Sequence, residues 1–142
     1  MKVYLDNCCF NRPFDNQAQL KIKLETDAKL FVQQQILAGE YKLVWSYILS
    51  YENAQNPYEE RSRSVASWED IASENLIETP EILARAKRLV ASGVKEKDAL
   101  HIACAAESNC DYFITTDRRL LSAVEPGVRI VNPMDFIQEI EA

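Results

Sequence analysis

The segment running from Lys97 to Arg119, KDALHIACAAESNCDYFITTDRR, constrains the fold more than any other part of the chain. Ile102, Ala105 and Ala106 recur at helical spacing after Asp98, and Ser108-Asn109 ends the pattern. Tyr112-Phe113-Ile114-Thr115 then forms a β-prone run without polar alternation, as expected of a strand covered on both faces. Asp117 follows at the carboxyl end of that strand, the edge where ligand crevices form in open parallel α/β sheets. Asp98 stands at the amino end of the preceding helix, which the chain enters from the same edge. One helix–turn–strand unit therefore delivers two carboxylates to one rim.

The rest of the chain repeats the alternation. Lys2-Val3-Tyr4-Leu5 reads as a strand with Asp6-Asn7 at its carboxyl end, and that pair is equally a plain turn. Asn11-Arg12-Pro13-Phe14 reads as a loop, with Asp15 or Asn16 as a cap. A long helix over residues 17–38 is expected to turn Leu20, Leu24, Ala28 and Phe31 inward and to close at Gly39. Tyr41 to Trp45 is a second strand, and a helix begins within Ser46 to Ser50. Glu52 lies four residues after Ile48 and three after Leu49, which puts a carboxylate on an apolar stripe, a costly placement unless something pairs with it.

Asn56-Pro57 breaks the chain before a helix over residues 58–73 that carries Val65, Trp68 and Ala72 on one side. Residues 75–78 are extended. Thr79-Pro80 caps a helix with Leu83, Ala86 and Val90 inward and Gly93 at its end. Val128 to Val131 is a last strand, and Asn132-Pro133 opens a closing helix with Phe136 and Ile140. Strand and helix in alternation imply an α/β fold, a three-layer α/β/α domain with a mainly parallel central sheet, occupying residues 1–142 as one unit.

Composition limits the function classes. Hydrophobic residues make up 47% of the chain and charged residues 27%, which is globular rather than disordered. No apolar run reaches the ~18 residues needed to span a bilayer, so no membrane association is expected, and without a signal peptide the default compartment is cytoplasmic. The four cysteines have no CxxC spacing and there is only one histidine, which argues against zinc and for free thiols. A net charge of −6 excludes a surface that coats nucleic acid generally, while leaving room for a small, locally basic or metal-bridged site.

VYLDN, the acid within SYILSYENA, KDALHIACAAE, and YFITTD before a basic, leucine-bearing turn together resemble a PIN domain. This is the nuclease fold of VapC-type toxins and of eukaryotic RNA-processing factors. The resemblance covers nearly the whole chain, in order. It implies an acidic cluster of Asp6, Glu52, Asp98 and Asp117 that holds Mg²⁺ or Mn²⁺ and carries out hydrolysis of RNA phosphodiester bonds. Thr115, in the T-x-D pattern, would support the metal or the scissile phosphate. Asn7 and Cys8 stand where many relatives carry a small hydroxyl residue after the first aspartate, and Asn7 and Arg12 are candidates for substrate contact. A toxin of this type implies an RNA substrate, a small antitoxin that occludes the site, and a homodimer.

The chemistry accounts for the acids. Two like charges ~4 Å apart repel by about 4 kcal/mol at an effective dielectric near 20, so carboxylates sharing a rim need protons or cations. Hard divalent cations prefer oxygen ligands and make water a usable nucleophile near neutral pH. Other readings stay open. Asp117 before Arg118-Arg119 can be an N-cap, Asp98 can complement a helix dipole, and His101 reads as a packed residue or a support for the acids. Arg12 can be a solvated loop cation, and Arg12, Lys95, Lys97, Arg118 and Arg119 can form a basic rim. A non-catalytic PIN-like module that binds nucleic acid or protein is the alternative function. A haloacid-dehalogenase-like phosphatase is a distant third, because Asp6-Asn7-Cys8 lacks the second aspartate of D-x-D.

Overall fold

The computed structural model describes residues 1–141. Strands β1 (Lys2–Leu5), β2 (Lys42–Ser46), β3 (Glu74–Leu76), β4 (Tyr112–Ile114) and β5 (Arg129–Val131) form one sheet in the order β3-β2-β1-β4-β5. Every neighbouring pair is parallel. The helices are α1 (Asn7–Asn11), α2 (Leu20–Leu37), α3 (Tyr47–Ala54), α4 (Glu59–Ile71), α5 (Pro80–Ala91), α6 (Glu96–Glu107) and α7 (Pro133–Glu141), with 3₁₀ turns at Arg12–Phe14 and Leu120–Ser122. This is the α/β architecture expected from the alternation of elements.

Register and aromatic packing separate the two faces of the sheet. Tyr4 pairs with Val44 on one side and Phe113 on the other, and its ring stacks on Phe113 with centroids 5.4 Å apart. Tyr4 also meets His101 of α6, so this face lies under α6, which packs in turn on α5. The opposite face presents Trp45 and Tyr112, which meet Phe10 of α1 and Phe136 of α7. Both faces are covered, which is why the strands lack polar alternation.

The chain winds from β1 outward to β3 and then crosses back to β4 and β5 on the other side of β1. The order reverses between β1 and β4, and a crevice opens at the carboxyl ends of strands at such a point. The α6–β4 link holds this geometry tightly. Asn109 adopts a left-handed φ of 57°, and the Cys110 amide donates back to the Ala105 carbonyl at 3.0 Å.

Two expected helix faces are rotated. On α2 the buried residues are Glu25, Thr26, Lys29, Val32, Gln33 and Ile36, while Leu20 and Leu24 are 70% and 44% exposed. The helix begins at Leu20 and covers the Arg12–Phe14 turn: Arg12 Nε lies 3.3 Å from buried Glu25, and the Thr26 hydroxyl donates to the Arg12 carbonyl at 3.4 Å. That polar seam, rather than the apolar periodicity, sets the orientation of α2. Burial leaves the Lys29 ammonium without a full hydration shell and lowers its pKa to about 8. On α5 the inward residues are Ile82, Ala86 and Leu89, and Leu83 and Val90 face outward.

Candidate active site

Asp6 ends β1 at the switch point and is also the N-cap of α1, its carboxylate accepting from the Asn7 amide at 2.8 Å. The turn expected at Asp6-Asn7 is thus a helix cap, made by the same side chain that was expected to join the acidic cluster. The Thr115 hydroxyl donates to Asp6 Oδ2 at 2.8 Å and accepts from the Asp117 amide at 3.1 Å. One buried hydroxyl thus ties the acid after β1 to the acid after β4. Cys8 adds a weaker thiol contact to Asp6 at 3.5 Å and accepts from the Thr116 amide at 3.3 Å. The side chain of Asn7 accepts instead from Asn11, at 3.3 Å.

Asp98 projects from the first turn of α6. Its carboxyl pKa is raised by burial and by the charges of Asp6, Asp117 and Glu52, with His101 opposing. Asp98 therefore feels the fields of all three other acids named from sequence. Asp117 has the opposite environment. The Arg119 guanidinium reaches it at 3.1 Å and lowers its pKa, assisted by the Arg119 amide and by Lys95.

Glu52, in α3, is hydrogen-bonded to Nε2 of His101. His101 is fully buried, and its Nδ1 meets the Tyr4 hydroxyl at 2.6 Å. Burial alone pushes the imidazole pKa down, but the Glu52 bond and the charges of Asp6, Glu52 and Asp98 together raise it. Neither Tyr4 nor the Ser46 hydroxyl, which meets the Tyr4 hydroxyl at 2.6 Å, stood out in the sequence. The available signals were the i, i+2 spacing of Tyr4 and Asp6 on one strand face and the i, i+3 spacing of Asp98 and His101.

The cations divide. Arg12 is engaged by Asp15 at 2.9 Å and by Glu25, and Lys97 lies over the Tyr51 ring at 5.3 Å. Lys95 and Arg119 instead share with Asp98 a cavity of about 400 Å³, walled by Gly93, Leu120 and Val124. This lies within the roughly 300–1,000 Å³ range of ligand pockets. The cavity therefore places two cations beside one of the four acids.

A PIN-domain family model matches residues 3–125. The chain belongs to the PIN-domain family. Among solved structures, the PIN fold of this chain is similar to a chain of the VapBC2 complex of Rickettsia felis bound to a promoter DNA fragment. The identity is 14% and the TM-score 0.59, over 93% of this chain and 98% of the other. FitAcB from Neisseria gonorrhoeae matches at 12% identity and TM-score 0.58, over 93% and 98%. DNA-bound VapBC from Salmonella typhimurium matches at 16% and 0.55, over 94% and 98%. No curated protein matches the chain by sequence.

The donor chemistry of this PIN site fits a hard divalent cation: carboxylates and a hydroxyl, no soft ligand in the lead, and a mutual repulsion on Asp98 that positive charge relieves. Among the described residues, no three His, Cys, Asp or Glu side chains are already gathered at metal-holding spacing. Glu52 and Asp117 are turned toward His101 and Arg119, so a cation would share their carboxylates with those partners.

Proposed function

We propose that this PIN domain is an endoribonuclease that hydrolyses RNA phosphodiester bonds with Mg²⁺ or Mn²⁺. The observation that carries the reading is the convergence of Asp6, Glu52 and Asp117, from three other segments of the chain, on Asp98 at the switch-point edge, where burial first and then their charges raise its carboxyl pKa. Asp6, Asp98 and Asp117 would hold the cation, and Glu52 would hold a second ion or orient water. The bound cation would supply an activated water and a counter-charge for the phosphate.

The chain's own groups do the remaining work. Thr115 keeps the Asp6 carboxylate and the Asp117 backbone at one spacing, so that only the Asp117 side chain has to turn when the acids come together. Lys95 and Arg119 attract the phosphate backbone into the cavity beside Asp98. Arg119 can exchange Asp117 for a phosphate oxygen, releasing the carboxylate as substrate arrives.

As biological setting we propose a cytoplasmic toxin held by a cognate antitoxin, with a homodimer as its assembly. The structural neighbours that are VapBC complexes support that setting. No helix among the described residues is long and apolar enough to cross a membrane. Leu20, Leu24 and Leu37 on the outer side of α2 offer apolar surface to a protein partner. A second reading, a PIN module that binds without cutting, is favoured by the Arg119–Asp117 pair, which neutralises one of the acids.

The discriminating experiment is incubation of end-labelled RNA and DNA of the same sequence with Mg²⁺ or Mn²⁺, followed by mass analysis of the product ends. Water as nucleophile leaves one phosphate and one hydroxyl at the cut. Cyclic phosphate ends, which need the RNA 2′-hydroxyl as nucleophile, overturn the mechanism, and binding without cutting supports the second reading.

A further inference from the structure

Rather than forming a single ion pair, Glu52 ends a chain of hydrogen bonds that starts on its own helix, so that the backbone of α3 closes the ring. The Leu49 amide of α3 donates to the Ser46 hydroxyl at 3.4 Å, and Ser46 meets the Tyr4 hydroxyl at 2.6 Å. Tyr4 meets His101 Nδ1 at 2.6 Å, and His101 Nε2 reaches Glu52, which returns the chain to α3. The ring passes through β2, β1, α6 and α3. Of those elements α6 carries Asp98 and α3 carries Glu52, Asp6 follows β1 directly, and His101 is also 4.0 Å from Asp6 Oδ1.

Both nitrogens of a fully buried ring are used, and burial of such a group without partners is costly. Nε2 donates to Glu52, and the Tyr4 hydroxyl, being both donor and acceptor, suits Nδ1 in either protonation state. The Glu52 side chain is only 23% exposed, so its rotamer is chosen by this bond rather than by water. Groups that hydrogen-bond a metal-ligating carboxylate typically change metal affinity about 10–100-fold when removed.

We infer that His101 is a positioning residue, fixed by Tyr4 and Ser46, that holds Glu52 in the orientation in which it serves the cation site. The inference rests on the cation-dependent reading of the four acids. Through these bonds, the identity of a buried residue that carries no charge to the cation itself sets how the site takes up metal.

The test uses Mn²⁺ titration by calorimetry, with thermal unfolding of each variant in chelator as the fold control. A glutamine amide nitrogen occupies the place of Nε2 and an asparagine nitrogen that of Nδ1. His101→Gln is therefore expected to retain most of the Mn²⁺ affinity, whereas His101→Asn and His101→Leu are expected to lose about 10–100-fold. A purely packing role gives another order, with leucine, the closest in bulk, performing at least as well as glutamine. That order, or affinity unchanged in all three, overturns the inference. If the wild-type protein itself takes up no Mn²⁺, the cation reading fails first and the inference with it. Should the His101 variants not fold, Tyr4→Phe and Glu52→Gln carry the test. His101 is the only histidine, so its ring nitrogen resonances are unambiguous in the metal-free protein. Tyr4→Phe is expected to shift Nδ1 and Glu52→Gln to shift Nε2, and resonances that stay in place overturn the ring.

Discussion

Replacing Thr115 by valine keeps the shape of a fully buried side chain and removes the hydroxyl that joins Asp6 to Asp117. The bond to the Asp6 carboxylate, at 2.8 Å, is of the charged kind and is worth about 1.5–3 kcal/mol. The bond from the Asp117 amide, at 3.1 Å, adds about 1 kcal/mol at most, because that amide borders solvent. The valine methyl returns about 0.8 kcal/mol of apolar burial. The net cost is about 2 kcal/mol, which for a chain of this size lowers the melting temperature by roughly 6–8 °C. Thermal and urea unfolding in chelator, with circular dichroism, measure it. Thr116→Val is the control, since Thr116 gives Cys8 only its backbone amide and is expected to stay within about 0.5 kcal/mol. A Thr115→Val protein as stable as wild type, or equal losses in both variants, refutes the idea that Thr115 ties the two strand-end acids together.

Further outcomes follow from the same geometry. Asp98 has a raised folded-state pKa, so its contribution is fully present below the unfolded carboxyl value and is lost as pH rises through the folded one. Asp98→Asn is therefore expected to stabilise metal-free protein near pH 7, by no more than about 1 kcal/mol after solvent screening, with the gain vanishing below about pH 4. Urea midpoints across pH check this, and a gain that grows toward acid pH contradicts it. Arg12→Ala strands the buried Glu25 carboxylate and is expected to cost about 3 kcal/mol, read as a fall in melting temperature. Leu20→Lys on the outer side of α2 is expected to change stability by less than about 0.5 kcal/mol, whereas Val32→Ala costs more than about 1 kcal/mol. The reverse order would restore the helix orientation read from periodicity.

The parallel sheet was legible because β1, β2 and β4 carry apolar runs and β1, β2, β3 and β5 are each followed by a helix signal, although the edge strand β3 is largely polar. The carboxyl-end placement of Asp6 and Asp117 followed directly from those strand boundaries. Helix orientation was less legible wherever leucines point several ways, as on α2, or where the stripe is offset by one residue, as on α5. In α2 the deciding interaction, Arg12 with Glu25, joins residues 13 apart and carries no periodic signature. The His101 ring is long-range in the same sense: Tyr4 and His101 are separated by 97 residues, and only the fold brings them together. The Arg119–Asp117 pair, in contrast, is local and was open to view as a charged residue two positions on.

The most direct test of the central claim is cleavage of a mixed-sequence RNA by purified protein in Mg²⁺, in Mn²⁺ and in chelator, beside an identically prepared Asp98→Asn variant. The four acids acting as one cation site require cutting that needs metal and disappears in the variant. Equal cutting by both proteins, or cutting that persists in chelator, contradicts it.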